Sequence, residues 1–444
     1  MSNVIGSSDG QSQVGLGLEA QTISKVTKRL VPFLILLYII AYLDRVNVGY
    51  AALTFKKDLA LSDAAFGLGA GIFFFGYFLF EVPSNIFLEK FGARKWIARI
   101  MITWGIVSVA MALTKGETSF YVLRFILGAA EAGFFPGIIL YLTYWFPTIH
   151  RARIVASFMF GIPVCVIFGA PLSSLLLEMN GIGGLAGWQW LFILEGLPAI
   201  ILGFVTLSYL TDKPKDATWL QDDERAWLTN AMEKDAATRA GKGPTHFAAI
   251  FTDSRVLLLS LVYLGLIVGL YGVGLWLPQI VKKFGLTNLQ VGFVGAIPYV
   301  FAAIVMIPWG RNSDRTGERI FHVAIPAVVG FAALVTAAYA PTPVISMIAL
   351  SVAACGILAA LPTFWSLPTA ILGGSAAAGG IALINSVGNL GGFLGPYLVG
   401  YIKETTQTFE IPLVVLGCFM LASGILVLMM GPSLRRAMAG SNSK

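Results

Sequence analysis

Long apolar runs recur along the whole chain, separated by polar segments that are mostly short. A helix needs about 20 residues to cross a bilayer, and lipid offers the backbone no hydrogen-bond partner, so these runs predict membrane-spanning helices. Six spans are expected in the first half of the chain, at 31–51, 65–84, 96–114, 119–143, 154–177 and 188–210. Six more are expected in the second half, at 255–278, 290–309, 320–340, 344–368, 376–402 and 411–431.

These spans divide the chain into five parts. An N-terminal tail (1–30) precedes a six-helix bundle (31–210), and a second six-helix bundle (255–431) precedes a C-terminal tail (432–444). The connecting loop (211–254) is dense in charges of both signs. We interpret this loop as a solvated linker that contains a short surface helix, with a docking site for a partner as the alternative.

The composition excludes a soluble protein. Charged residues make up 12% of the chain, against about a quarter in soluble domains, and hydrophobic residues make up 57%. The net charge is +7, but apart from Arg45 and Arg124 the Lys and Arg residues lie outside the apolar runs, which the positive-inside rule explains better than nucleic-acid binding does. Placing both termini in the cytoplasm puts most of these residues inside, even without the 211–254 loop. We therefore expect cytoplasmic termini and no nucleic-acid partner.

The sequence indicates neither a cofactor nor a metal site, and no enzyme. Cys165, Cys355 and Cys418 lie singly in apolar segments, without disulfide or metal-ligand spacing. We find no phosphate-binding loop for ATP, and no nucleophile–base pair. The histidines lie in loops or at span ends and are poor proton carriers; they are His150, His246 and His322.

One loop pattern occurs twice, after the second span and after the eighth. Acid, base, glycine and arginine recur in the same order, as Glu89, Lys90, Gly92 and Arg94 in the first copy and Asp314, Arg315, Gly317 and Arg319 in the second. Copies at corresponding places in a six-plus-six layout predict duplicated halves. A carboxylate that pairs with arginine in only one state would act as a gate. Positive-inside anchoring is the alternative, and both can hold for Arg94 and Lys95.

Ionisable residues within spans mark the candidate site. The first span contains Asp44 and Arg45, and the fourth contains Arg124 and Glu131 on one helix face. A charge at the bilayer centre costs at least about 2.5–3.5 kcal/mol, so such groups usually face a cavity and pair with one another. A purely structural ion-pair network is the alternative, but buried pairs seldom stabilise a protein more than apolar packing does.

Neutral polar and aromatic residues extend this candidate site. Asn385 and Asn389 share a helix face in a glycine-rich span, where they can donate hydrogen bonds to a ligand. Tyr77 and Trp365 are candidate cavity walls, with core packing as the alternative. The sequence leaves open the roles of two further carboxylates within spans. Glu81 is a candidate for gating or for structural pairing, whereas a structural role is favoured for Glu195.

The repeated loop resembles the signature loop of the major facilitator superfamily, Gly-x-x-x-Asp-Arg-x-Gly-x-Arg. The second copy matches fully, whereas the first has Asn85 and Glu89 in place of the glycine and the aspartate. In that family the loop joins neighbouring helices on the cytoplasmic face. The resemblance implies an all-α integral membrane fold of twelve helices, in two six-helix bundles related by pseudo-two-fold symmetry.

Four segments (42–47, 124–131, 364–368 and 385–389) resemble the anion:cation symporter branch of that family, over residues 31–431. Its bacterial members take up tartrate, phthalate, sugar acids and hydroxyphenylacetate, and the tartrate-transporter-like group is the most similar. The resemblance implies proton coupling at Asp44 and Glu131, and substrate contacts at Tyr42, Arg45, Tyr77, Arg124 and an asparagine of the eleventh span. The apolar fifth span departs from some sugar-acid members, which have a polar contact there.

Electrostatics alone supports symport. An organic anion that competes for Arg45 and Arg124 makes Asp44 and Glu131 bind protons more tightly, so anion and proton bind with positive coupling. We expect proton-coupled uptake of a small organic anion, such as tartrate, by a monomer in the bacterial inner membrane. An aromatic-acid or sugar-acid permease, a passive facilitator, a drug exporter and a receptor-like homologue are the alternatives.

Overall fold

The computed structural model describes residues 7–147, 150, 154, 158–240, 253–371 and 374–441. In this part of the chain the regular elements are helices, without strands. The first half contains α1 (Ser7–Asp58), α2 (Asp63–Phe91), α3 (Ala93–Ala110), α4 (Glu117–Glu131), α5 (Phe134–Trp145), α6 (Gly161–Leu177) and α7 (Gly187–Tyr209). The connecting loop contains α8 (Asp222–Ala240). The second half contains α9 (Ser254–Lys282), α10 (Asn288–Thr316), α11 (Ile320–Ala338), α12 (Pro343–Ile371), α13 (Gly374–Thr406) and α14 (Glu410–Ser441).

The twelve predicted spans correspond to these helices, with α4 and α5 together forming the fourth. Ten of the described helical segments are long and apolar enough to cross a membrane. The fifth span is the shorter apolar helix α6, and the eleventh is the 33-residue helix α13. The all-α membrane fold is therefore confirmed, although residues 155–157 of the predicted fifth span lie outside the described residues.

Several helices extend beyond the predicted limits of the spans, α1 and α14 furthest. Helix α1 begins at Ser7, so the described part of the expected N-terminal tail is helical, and α14 continues to Ser441. Lys25 on the extension of α1 lies 2.7 Å from Glu224 on α8, and this ion pair holds the loop helix against the first bundle. The surface helix expected in the connecting loop is present as α8.

The fourth span is interrupted next to a predicted site residue. Helix α4 ends at Glu131, and Gly133 has a left-handed backbone with φ of +82° before α5 begins. Only glycine adopts this conformation at little cost. A Cβ atom at Gly133 would also lie 2.5 Å from the Ser84 hydroxyl oxygen. The break therefore places Glu131 at a helix end, where its side chain points toward α1.

The N-terminus of α1 and the C-terminus of α14 lie at one face of the molecule, which we call the terminal face. The two bundles pack most tightly at the opposite face, which we call the far face. A Cβ atom added to Gly67 would lie 2.6 Å from the carbonyl oxygen of Pro396, and one added to Gly49 would lie 2.7 Å from that of Leu275. The indole Nε1 of Trp276 donates a hydrogen bond of 3.1 Å to Pro396. Small residues thus let backbones of opposite bundles meet.

Ion pairs join the bundles at the same face. Lys403 on α13 lies 2.7 Å from both carboxylate oxygens of Asp63 on α2, and Lys56 also pairs with Asp63. The backbone N–H of Ala64 donates to Glu404 at 2.6 Å. We call Lys56, Asp63, Lys403 and Glu404 the far-face cluster. Together with the close helix packing, this cluster closes the far face in this conformation.

The repeated loops lie at the terminal face. Arg94 pairs with Asp212 rather than with Glu89, which is exposed, and Arg319 lies 2.6 Å from Asp314 in its own loop. Arg315 donates to Asn312 at 3.4 Å. None of these described pairs joins the two bundles, so a gating role for these residues stays a prediction.

The second repeated loop also contains Glu318, a carboxylate outside the spans. Burial would raise the pKa of Glu318, but hydrogen bonds from the Phe321 backbone N–H and from His322 outweigh it and hold the pKa below its usual value. Glu318 thereby fixes the first turn of α11.

Candidate functional site

A polar cavity of about 40 Å³ lies between the two bundles. Its polar and aromatic walls come from α1, α2, α5, α9, α12 and α13, and comprise Tyr38, Arg45, Tyr77, Phe135, Tyr263, Tyr271, Trp365, Asn385 and Asn389. Five of the seven predicted substrate contacts therefore line it: Arg45, Tyr77, Trp365, Asn385 and Asn389.

A larger groove of about 500 Å³ lies on the outer surface of the second bundle, between α10 and α12. No charged side chain lines the groove, and its walls include the exposed residues Phe301 and Ile348. Such a surface suits lipid rather than a polar solute.

Arg45 is the cation of the cavity. Its Nε and Nη2 atoms each lie 2.6 Å from the Glu131 Oε1 atom, and its Nη1 atom donates to the Tyr271 hydroxyl at 3.3 Å. The rings of Tyr77 and Phe73 lie 4.9 and 5.8 Å from the guanidinium carbon, within cation–π range. Groups on α2, α4 and α9 thus hold the guanidinium at the centre of the fold.

Glu131 is fully buried and uses one oxygen for Arg45. Its Oε2 atom has no hydrogen-bond partner within the described residues. A buried carboxylate with a free oxygen is costly as an anion unless its cation stays in place. The Arg45–Glu131 pair is therefore sensitive to anything that competes for Arg45.

Asp44 lies outside the cavity, on the other side of α1. Its Oδ1 atom accepts hydrogen bonds from the Ser108 hydroxyl and, at 3.3 Å, from Asn47, while Oδ2 is buried without a partner among the described residues. The helical turn of about 100° per residue separates Asp44 from Arg45. Asp44 therefore faces α3, and its coupling role stays a prediction.

Arg124 is fully buried and does not line the cavity. Its Nε atom donates to the Gly69 carbonyl at 3.3 Å, and its Nη2 atom donates to the Ala70 carbonyl at 3.2 Å. The Phe73 ring lies 4.8 Å from its guanidinium carbon. These contacts join α4 to α2, so a substrate contact at Arg124 stays a prediction for another conformation.

Tyr42 also lies just outside the cavity wall. Its ring stacks on that of Tyr271 with centroids 6.3 Å apart. Tyr42 thus supports a wall residue, and direct contact with substrate stays a prediction.

The sequence interpretation missed the contribution of α9. Tyr263 and Tyr271 line the cavity from this helix, and Tyr263 packs edge-on against Trp365 at 4.8 Å. A signal was present, because the two tyrosines are eight residues apart, which places them on one face of an otherwise apolar span.

The two carboxylates of open role occupy different surroundings. Glu81 accepts a hydrogen bond of 2.7 Å from Asn385, a cavity residue on the opposite bundle. Glu195 accepts a hydrogen bond of 2.7 Å from Ser173 inside the first bundle, away from the cavity. Among the described residues no group of His, Cys, Asp and Glu could hold a metal ion.

A helical membrane fold whose two bundles enclose a central polar cavity defines a transporter. The chain belongs to the Major Facilitator Superfamily, whose sequence profile matches residues 34–396. The predicted family is thus confirmed.

Known relatives support the same class. A protein of Agrobacterium vitis that carries the provisional name of tartrate transporter is 53% identical over 95% of this chain and 93% of its own. A quinolone resistance transporter of Acinetobacter baumannii is 44% identical over 95% of this chain and 97% of its own. The inward-facing, unoccupied structure of a bacterial homologue of the human lysosomal transporter Spinster shares the fold, with a TM-score of 0.75, 17% identity, and coverage of 93% of this chain and 98% of that chain.

Proposed function

We propose that the protein takes up a small organic anion, a dicarboxylate or hydroxy acid such as tartrate, by proton-coupled symport. The observation that carries this proposal is the ion pair between Arg45 in the cavity and Glu131, whose second oxygen has no partner among the described residues. The terminal face is cytoplasmic in this proposal, because most Lys and Arg residues lie on that side.

The coupling follows from competition for one guanidinium. A substrate carboxylate that binds the fork of Arg45 displaces Glu131. Glu131 then lies buried without its cation, which is far more costly than a neutral acid in the same place. It takes a proton from the external solution, and the loaded carrier reorients. In the cytoplasm the proton leaves, Glu131 recovers Arg45, and the anion is released. Asp44 shares the proton in this scheme.

The walls of the cavity support an anion with polar substituents. Asn385 and Asn389 offer amide groups, and the tyrosines of α9 offer hydroxyl groups, within the space that Arg45 faces. Tartrate combines carboxylates with hydroxyls, and the Agrobacterium vitis relative is named for it.

A second candidate is an aromatic acid or an amphiphilic drug. Tyr38, Tyr77, Tyr263 and Trp365 line the cavity and suit a planar ring. The 44% identical relative named for quinolone resistance favours export of such a compound. A passive facilitator is less consistent with a buried carboxylate that can exchange its cation for a proton.

Uptake by purified protein in proteoliposomes separates these functions. We expect tartrate or a related dicarboxylate to accumulate inside when the outside is more acidic and protons move inward. This accumulation should disappear when the proton gradient is collapsed. Equilibration without accumulation would indicate a facilitator. Efflux of a quinolone probe that is driven by protons moving inward would indicate an exporter.

A further inference from the structure

Glu81 connects the two bundles beside the cavity without being part of the mechanism above. It lies on α2, one helical turn from Tyr77 toward the terminal face, and is 5% exposed. Its Oε1 atom accepts a hydrogen bond of 2.7 Å from the Nδ2 atom of Asn385 on α13. Its Oε2 atom is buried and has no hydrogen-bond partner within the described residues.

The surroundings of Glu81 act in opposite directions: burial disfavours its charged form, whereas Arg45 and the amides of Asn385 and Asn389 favour it. Arg45 on α1 lies close enough for a favourable electrostatic interaction, and no other cation of the described residues faces it. The remaining polar and titratable groups around it are Tyr77 on its own helix, Tyr263 on α9, and Asn385 and Asn389 on α13.

The hydrogen bond determines how Asn385 is oriented. The amide of Asn385 turns its NH₂ group toward Oε1 of Glu81, an atom that accepts a hydrogen bond both in the carboxylate and as the carbonyl oxygen of the neutral acid. The amide carbonyl oxygen then remains as the group that Asn385 can offer elsewhere. Because Asn385 lines the cavity, the substrate meets an acceptor at this position.

We infer that Glu81 is a positioning residue for substrate specificity: it fixes the Asn385 amide so that the carbonyl oxygen accepts a hydrogen bond from a substrate hydroxyl. This inference rests on the proposed function for its substrate class. A dicarboxylate without hydroxyls leaves that oxygen unpaired, whereas a hydroxy acid satisfies it. Sites that bind a hydroxyl in this way discriminate against analogues that lack it.

The amide orientation also explains why asparagine serves here. Without Glu81 as its acceptor, the amide of Asn385 could rotate and present either its NH₂ group or its carbonyl oxygen to the cavity. Asn385 would then bind a substrate carboxylate as readily as a substrate hydroxyl. With Glu81 in place, a second substrate carboxylate directed at Asn385 meets a carbonyl oxygen, which cannot donate a hydrogen bond to it. The pair therefore combines attraction for a hydroxyl with repulsion of a carboxylate.

Competition binding to the purified full-length protein tests this inference. The probes are tartrate and succinate, four-carbon dicarboxylates that differ only in the two hydroxyls. We expect wild type to prefer tartrate, and Glu81→Gln to reduce the ratio of the two affinities about fivefold, the effect of one neutral hydrogen bond. Glu195→Gln is the matched control, because that buried carboxylate bonds Ser173 away from the cavity, and its ratio should equal that of wild type.

A double-mutant cycle tests whether Glu81 acts through Asn385. Asn385→Ala should reduce the ratio about as much as Glu81→Gln does, and the double variant should lose no more than either single variant. Glu81→Asp keeps the carboxylate and should restore part of the preference. If Glu81→Gln does not fold, Asn385→Ala and Glu81→Asp still measure the same ratio.

Three results would overturn the inference. An unchanged tartrate-to-succinate ratio in Glu81→Gln would show that Glu81 does not select the hydroxyl. An equal loss of affinity for both acids would indicate a structural role. Failure of wild type to bind either acid would remove the substrate class of the proposed function, and the inference with it. Since binding needs no proton gradient, a failure of symport alone would leave the ratio measurable.

Discussion

Replacing Glu131 by glutamine separates proton coupling from substrate binding. Glutamine has nearly the shape of a protonated glutamate but cannot exchange a proton. In the wild type, a substrate must displace Glu131 from two contacts of 2.6 Å with Arg45. We therefore expect Glu131→Gln to bind and exchange substrate but not to accumulate it against a gradient.

The hydrogen bonds of Arg45 set the expected magnitude. A hydrogen bond to a charged group contributes about 1.5–3 kcal/mol, and a neutral one contributes about 1 kcal/mol. An amide at position 131 therefore competes for Arg45 less strongly than the carboxylate does, by about 1–2 kcal/mol. Substrate should bind about five to thirty times more tightly in Glu131→Gln. Because no proton needs to bind, this affinity should also lose most of its dependence on pH.

Three measurements on one purified variant make the assay. Binding is followed by calorimetry, exchange by counterflow of labelled substrate, and coupling by uptake under an imposed pH gradient. For one coupled proton at zero membrane potential, each pH unit should give wild type about tenfold accumulation. A purely structural Glu131 predicts instead a loss of stability of about 3–5 kcal/mol from an uncompensated buried Arg45. A well-folded Glu131→Gln that still concentrates substrate would refute the coupling role.

Four further predictions concern orientation, the two arginines and the far face. In a cysteine-free background, Thr238→Cys on α8 should not react with an impermeant thiol reagent in intact cells; strong labelling would reverse the proposed topology. Arg45→Ala should abolish substrate binding measured by calorimetry, whereas unchanged affinity would remove Arg45 from the site. Arg124→Lys keeps the charge but loses the planar fork of the guanidinium. Weaker substrate binding would support a substrate contact at Arg124. A lower melting temperature with unchanged binding would show that Arg124 only joins α2 and α4. Asp63→Asn should open the far face, seen as faster labelling from outside of Ile267→Cys, a position on α9 that lines the cavity; unchanged labelling would show that helix packing alone closes it.

The fold was predictable because the signals for it are local. Each span needs only its own length and composition, and the duplicated loops at Glu89 and Asp314 give the two-bundle layout without any long-range contact. The limits of α1 were not predictable in the same way. Its extension toward Ser7 is supported by Lys25 pairing with Glu224, a contact across the connecting loop that the apolar pattern does not contain.

The site was predictable in its residue types but only partly in its pairing. The spacing along α1 separates Asp44 from Arg45, as the structure has them. The shared face of Arg124 and Glu131 does not reveal that Arg124 is occupied by carbonyls of α2, because backbone acceptors on a neighbouring helix leave no trace in the sequence. The link between Glu81 and Asn385 likewise joins residues of opposite bundles, so it required the structure.

The charges of the cavity are unequally divided between the bundles. Among the described residues that line or adjoin it, the ions Arg45, Glu81 and Glu131 belong to the first bundle, whereas the second contributes neutral groups such as Tyr271 and Asn385. When one bundle rocks against the other, the Arg45–Glu131 pair therefore need not separate. At the cavity, only hydrogen bonds between these ions and neutral groups of the second bundle must exchange, each contributing about 1.5–3 kcal/mol where the first-bundle group is charged. Such a division lets the empty carrier reorient with Arg45 paired to Glu131, and the loaded carrier with Arg45 paired to a substrate carboxylate and Glu131 protonated. A carrier with the proton alone would leave Arg45 unpaired, and one with the substrate alone would leave the Glu131 carboxylate unpaired, so the cost of a buried charge opposes both separate crossings.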